Sequence, residues 1–203
     1  MRIGSGALRS LIVALTLLGF AVTATAAESA SSSRPQVRIE TSVGNIDVEL
    51  FPQQAPESVA NFLQLVDDGF YKGTIFHRVI ANFVIQTGGY DAKLAYREPP
   101  RTVINEAKNG LKNQRGWLAM ARRDDPDSAD AQFFINMRTN PHLDPGPGSA
   151  GYTVFGRVIA GMQHAERIEL ADTGIRNGMA GVPLEAVEII STTQLKPGPP
   201  ASE

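Results

Sequence analysis

Hydrophobic and polar positions alternate early in the chain: Val37, Ile39 and Thr41, then Ile46, Val48 and Leu50, stand at every second place around a turn centred on Val43-Gly44-Asn45. A period of two puts one row of side chains on one face of a strand, so the pattern predicts an antiparallel hairpin. From Ala55 the period changes. Val59, Phe62, Leu63 and Val66 form a helical stripe that opens with Pro56 and Glu57 and stops near Gly69, predicting one amphipathic helix. Short apolar runs follow at 75–80, 83–86, 117–121, 133–137, 152–158 and 187–193, broken by Gly, Asn, Asp and Pro. Short strands at such spacing predict an all-β barrel or sandwich. A weak second stripe, Met162, Ala165, Ile168 and Glu169, predicts a helix over 162–170. The stretches 91–114 and 122–131 show no period, and loops of that length in a compact domain are functional or poorly ordered.

The ends of the chain carry a different pattern. Arg2 and Arg9 precede an apolar run over 11–22, and Ala24-Thr25-Ala26 supplies a small-residue cleavage signature. Residues 1–26 therefore read as a signal peptide cut after Ala26 or Ala27. The run is too short for a membrane span, which needs about 20 apolar residues. No membrane attachment is expected after cleavage, and the periplasm is the expected compartment. Residues 27–35, rich in Ser, read as a disordered linker and 196–203, rich in Pro, as a disordered tail, leaving one domain over 36–195. The pattern shows no exposed apolar repeat, so a monomer is expected.

Composition narrows the chemistry. The 203 residues hold 19 Lys+Arg against 21 Asp+Glu, a formal net charge of −2, so there is no basic footprint for nucleic acid. There is no cysteine, which removes disulfides, thiol nucleophiles and thiolate metal ligands. A nucleophile elbow and a phosphate-cradling glycine loop are both missing. His77, His142 and His164 lack the spacing that would place two rings on one metal. Asp124, Asp125, Asp127 and Asp130 fail the spacing of a calcium loop and read as a solvated acidic turn. What remains is one arginine among apolar and aromatic residues, in Phe76-His77-Arg78-Val79-Ile80 and Phe83-Val84-Ile85-Gln86. On strands, Phe76, Arg78 and Ile80 would share a face, and Val84 and Gln86 another. An arginine there reads equally well as a solvated residue on the outside of a sheet.

Residues 76–89 resemble the signature of the cyclophilin-type peptidyl-prolyl cis-trans isomerases. Further blocks follow in order: Gly116-Trp117-Leu118-Ala119-Met120-Ala121, Gln132-Phe133-Phe134-Ile135, Leu143-Asp144 and Val154-Phe155-Gly156. The resemblance spans 37–193 and, with the signal peptide, points to an exported bacterial branch. It implies a mainly β fold, a closed eight-stranded antiparallel barrel capped by two helices, with no cofactor. It implies an enzyme that speeds rotation about Xaa-Pro bonds in unfolded or flexible polypeptides and so assists the folding of exported proteins. By motif position, Arg78 is similar to the catalytic arginine, and Phe83, Val84, Phe134 and Leu143 to the walls of the proline pocket. Gln86 and Gln132 correspond to its polar flank, and Ala121 with the Arg122 backbone to the edge that pairs with substrate main chain. His142 and Tyr152 complete the candidate substrate contacts and depart from the best-known pattern, where many members have tryptophan and histidine. His142 in place of tryptophan implies weak cyclosporin binding. Because arginine does not titrate near neutrality, activity is expected to be flat from about pH 6 to 9.

Overall fold

The computed structural model describes residues 34–196 together with Met1, so the signal peptide and most of both predicted tails lie outside the described residues. Strands β1 (Gln36–Thr41) and β2 (Gly44–Leu50) form the predicted hairpin, with Val37, Ile39, Thr41, Ile46, Val48 and Leu50 all buried. Its turn is tighter than expected. Thr41 pairs with Gly44, so Ser42 and Val43 alone make the bend. The Thr41 hydroxyl donates to the Gly44 carbonyl at 2.6 Å and accepts from the Val43 N–H. Gly44 has φ +131°, and a β-carbon there would sit 2.3 Å from the His164 ring, so both backbone and space require glycine.

Helix α1 (Pro56–Asp67) carries proline in its first turn, where a missing N–H costs nothing. Ala55, at its N-cap, has no side chain able to cap. Glu106 does that work from a distant loop: its carboxylate accepts the N–H groups of Glu57 and Ser58 at 3.0 and 2.9 Å and the Ser58 hydroxyl at 2.7 Å. The helix buries Val59, Phe62, Leu65 and Val66. Leu65, three residues beyond Phe62, takes the place in the stripe that the sequence pattern assigns to Leu63, which is only partly buried. The Phe62 ring centroid lies 5.3 Å from those of Tyr71, Phe133 and Phe155.

The remaining strands are β3 (Arg78–Ile80), β4 (Val84–Thr87), β5 (Trp117–Met120), β6 (Phe133–Asn136), β7 (Val154–Ala160), β8 (Thr173–Arg176), β9 (Met179–Pro183) and β10 (Ile189–Leu195), with α2 (Met162–Glu169) after β7. Eight of the ten described strands, β1 and β2 included, form one antiparallel sheet in the order β10-β1-β2-β7-β5-β6-β4-β3. The expected closed barrel is corrected here: the sheet is curled and open, because its edge strands β3 and β10 do not pair with each other. The run 75–80 enters as strand only at Arg78, and Ile75 meets Glu188 in a single bridge before the chain turns. Bonds from the Phe76 N–H to the Val187 carbonyl and from the Ile189 N–H to the Thr74 carbonyl span the gap locally. Phe76 consequently drops into the core instead of sharing a face with Arg78.

The sheet's inner face and both helices enclose the main core, to which α2 contributes Ala165 and Ile168. The pattern missed β8 and β9, a separate two-stranded hairpin turning at Asn177 and Gly178, both at positive φ. An Asn-Gly pair is the strongest local hairpin signal, but the flanking residues Thr173–Arg176 show no clean alternation.

Candidate active site

Period two on the central strands separates two apolar bodies. Val79, Ile85, Leu118, Met120, Phe133 and Ile135 point into the main core. Their neighbours Val84, Ala119 and Phe134 point the other way and, with Leu143 and Val154, form a second cluster on the opposite face of the sheet. β6 is therefore buried at all four positions, although only alternate residues belong to the main core. A cavity of about 230 Å³ opens above this second cluster.

Nine of the eleven candidate residues line that cavity: Arg78, Phe83, Val84, Gln86, Ala121, Arg122, Phe134, Leu143 and Tyr152. β3 pairs with β4 in the register Arg78 to Gln86 and Ile80 to Val84, which sets the two polar side chains together. Arg78 Nη1 donates to Gln86 Oε1 at 3.2 Å, and Gln86 Nε2 donates to Gln132 Oε1 at 3.1 Å. Gln132 thus stands behind Gln86, outside the cavity lining. His142 is not among the lining residues either; it stacks on Phe83, which is, with ring centroids 5.5 Å apart and planes 19° apart. Tyr152 meets Phe134 edge to face at 5.7 Å and carries the Arg122 guanidinium 4.7 Å above its ring. Arg122 Nε is fixed on the Gly151 carbonyl at 3.0 Å, and the Ala121 N–H bonds the Gln132 carbonyl.

No residue lining the cavity is acidic. Arg78 makes no ion pair among the described residues, so its charge is met by the Gln86 amide oxygen and by the Phe83 ring, whose centroid lies 5.8 Å from the guanidinium carbon. Half-burial lowers the guanidinium from its ordinary value, partly opposed by Tyr152, yet an arginine stays protonated near neutrality. One Nη is anchored, and the rest of the fork is available to a ligand. The arrangement offers a fixed cationic donor over an apolar bed, which suits a group whose negative character appears only when it distorts.

Sequence reasoning missed the supports. Asn113, Asn136 and Asn140 are buried and linked: Asn140 Nδ2 donates to Asn136 Oδ1 at 2.8 Å and to the Phe83 carbonyl at 3.1 Å, while Asn136 Nδ2 reaches Asn113 Oδ1 and the Trp117 carbonyl. This network ties the Phe83 loop to the 3-10 turn Pro141–Leu143 that carries Leu143 of the cavity wall. An asparagine inside a strand pattern, as at Asn136, was the available signal. Asp130 departs from the solvated acidic turn. It is 4% exposed, accepts the N–H groups of Ala131 and Gln132, and takes bonds from the Tyr96 hydroxyl and Arg123. It thereby fixes the residue that holds Gln86.

His77, next to Arg78, is buried, and its Nδ1 has no hydrogen-bond partner among the described residues. Burial pushes its imidazole down to about 4, the neighbouring Ile75 carbonyl and Gln132 opposing this in part and Arg78 reinforcing it. The folded protein holds the ring neutral where the unfolded chain, near pKa 6.5, binds a proton. Its contribution to stability is therefore complete above about pH 6.5 and falls as the pH drops toward 4, by about 3 kcal/mol in all. Urea unfolding should show wild type ahead of His77→Gln by that much more at pH 7 than at pH 4; a gap independent of pH would contradict the assignment. Isomerase activity should stay flat between about pH 6 and 9, with no limb from this ring.

Comparison with known proteins agrees with this geometry. The family model described as cyclophilin type peptidyl-prolyl cis-trans isomerase matches residues 36–194. A peptidyl-prolyl cis-trans isomerase of Acinetobacter baylyi is 44% identical over 179 residues, covering 88% of this chain and 93% of that protein. Peptidyl-prolyl cis-trans isomerase B of Escherichia coli is 46% identical over 161 residues, covering 77% and 98%. Among solved structures, a cyclophilin type peptidyl-prolyl cis-trans isomerase of Cryptosporidium parvum superposes with TM-score 0.68 at 29% identity, covering 81% of this chain and 99% of that one. A second structure of that protein, determined in the presence of the dipeptide Ala-Pro, gives 0.66 at 30% identity, covering 80% and 99%. The sheet order, the cavity beside Arg78 and matches over nearly the whole described chain lead to one conclusion: the protein belongs to the cyclophilin-type peptidyl-prolyl cis-trans isomerases.

Proposed function

We propose that Arg78 is the catalytic residue of this isomerase and that its substrates are Xaa-Pro bonds in unfolded or flexible polypeptides. Rotation about such a bond faces an amide resonance barrier of roughly 18–20 kcal/mol and takes about 10–100 s unaided. No covalent bond breaks, so no nucleophile is needed. As the amide twists, the proline nitrogen becomes pyramidal and its lone pair localises, creating an acceptor that the planar ground state lacks. A fixed guanidinium donor beside that nitrogen favours the twisted state selectively, and only such a difference lowers a barrier.

The observation that carries this reading is the Arg78 to Gln86 bond at the rim of an apolar cavity without an acid. Phe83, Val84, Phe134 and Leu143 would hold the pyrrolidine ring and exclude water, while the main chain at Ala121 and Arg122 would pair with the peptide. The relative determined with Ala-Pro supports proline-containing peptides as ligands. Export rests on the N-terminal pattern: a signal peptide over 1–26 would deliver a monomeric foldase to the periplasm, where it assists newly exported chains. Cyclosporin affinity is expected to be weak, since His142 stands where the drug-binding members carry an indole. The test is NMR exchange on a short Xaa-Pro peptide with the protein over residues 27–203. Accelerated cis-trans exchange is expected; peptide binding without acceleration would reduce the domain to a binding module.

A further inference from the structure

A second cavity, of about 380 Å³, lies beside the first and shares its wall. Arg78 and Gln86 line both. On the far side the floor is His77, Tyr90 and Gln132, and the outer bank is Met179 and Ala180 from the β8–β9 hairpin. The hairpin is held there by a close backbone approach: a β-carbon on Gly181, at φ +77°, would stand 3.0 Å from the Val79 carbonyl oxygen. The chemistry of this cavity is one-sided. Arg78 is cationic, the side chains of Gln86, Gln132 and Tyr90 can hydrogen-bond, Met179 and Ala180 are apolar, and no lining residue is acidic. His77 is neutral at pH 7, so it adds no second positive charge.

We propose that this cavity is a second subsite for the same polypeptide, taking an acidic side chain that flanks the Xaa-Pro bond and disfavouring a basic one. The inference rests on the groove beside Arg78 being the isomerase site. Continuity argues for the same occupant, since a peptide whose proline sits against Arg78 has its neighbouring residues within reach of the opposite side of that arginine. Charge argues for its chemistry. A carboxylate would meet the guanidinium and the amide donors, whereas an ammonium would be buried beside a like charge with no acid to receive it. The apolar bank of Met179 and Ala180 suits the methylene stem of glutamate.

The experiment compares kcat/KM for peptides that differ only in carrying Glu, Gln or Lys at one position on either side of the Xaa-Pro pair. At one of those positions Glu should exceed Lys by about three- to tenfold, with Gln between, the span of partly exposed charge pairs and charge-assisted hydrogen bonds. Added salt should shrink the ratio. Ala180 is exposed, so both charges can be placed there without disturbing the core. Ala180→Glu should reduce or invert the Glu/Lys ratio and Ala180→Lys should widen it; a purely structural perturbation would move both variants the same way. A ratio near one at every position, or one insensitive to both substitutions, would overturn the subsite while leaving the isomerase intact. Failure to accelerate any of the peptides would instead overturn the assignment of the groove.

Discussion

Replacing Arg78 with alanine should lower kcat/KM for a Xaa-Pro peptide by about one to two decades. A hydrogen bond to a charged group is worth on the order of 1.5–3 kcal/mol, and each 1.36 kcal/mol is tenfold in rate. The remaining acceleration over water belongs to the apolar cavity, which the substitution leaves in place. The fold should persist, because Arg78 is half-buried at the start of an edge strand and makes no ion pair among the described residues. Arg78→Lys should recover little. A lysine ammonium is a single point donor, whereas the arginine fork can bond Gln86 through one nitrogen and present another to the twisted amide. Exchange rates measured beside circular dichroism would check both claims. A folded Arg78→Ala protein with undiminished kcat/KM would remove this residue from the mechanism.

Phe62→Ala should be the most damaging change to stability, about 3–5 kcal/mol, because it combines lost burial with an unfilled cavity. Phe62 is fully buried on α1, and its ring is in contact with three other aromatic side chains from the chain after the helix, from β6 and from β7. Those neighbours are themselves packed edge to face, Tyr71 on Phe133 and Phe133 on Phe155, so they have little freedom to close the gap. At this size the loss corresponds to a Tm lower by about 6 to 20 °C. Calorimetry would measure it. Activity per folded molecule should remain near wild type, since Phe62 belongs to the main core and the cavity beside Arg78 sits on the second cluster. A drop below about 1 kcal/mol would mean that the aromatic cluster relaxes far more than its geometry implies.

Local periodicity made most of the frame readable in the sequence. The first hairpin, α1 and α2 follow from alternation and helical stripes, because in each case one face is buried and the other is wet. The central strands were readable as strands but not as two-faced. Val84 and Ile85, or Phe133 and Phe134, are adjacent apolar residues serving different bodies, and only the curled sheet separates them. The site's chemistry was legible through a motif, since Arg78, Gln86 and Gln132 are near neighbours only after β3, β4 and β6 pair. Long-range polar work was invisible. Glu106 acts 48 and 49 residues from the amides it caps, and nothing local distinguishes it from any other loop glutamate. Asp130 looked like its exposed neighbours because burial of a carboxylate depends on Tyr96 and Arg123, which the fold brings to it.

The strand order also fixes when the molecule can be finished. β1 lies between β2 and β10, with Gln36 opposite Leu195, so the earliest strand made has the latest as one of its two partners. During vectorial synthesis or passage through a translocation pore, one edge of β1 stays unsatisfied until the final strand emerges. Non-local pairing of this kind slows folding by requiring loop closure across the whole domain. A nascent chain ending before Ile189 should therefore remain protease-sensitive, and one extended through Leu195 should become resistant. Under the export proposed above, a topology that postpones completion to the last strand would preserve transport competence.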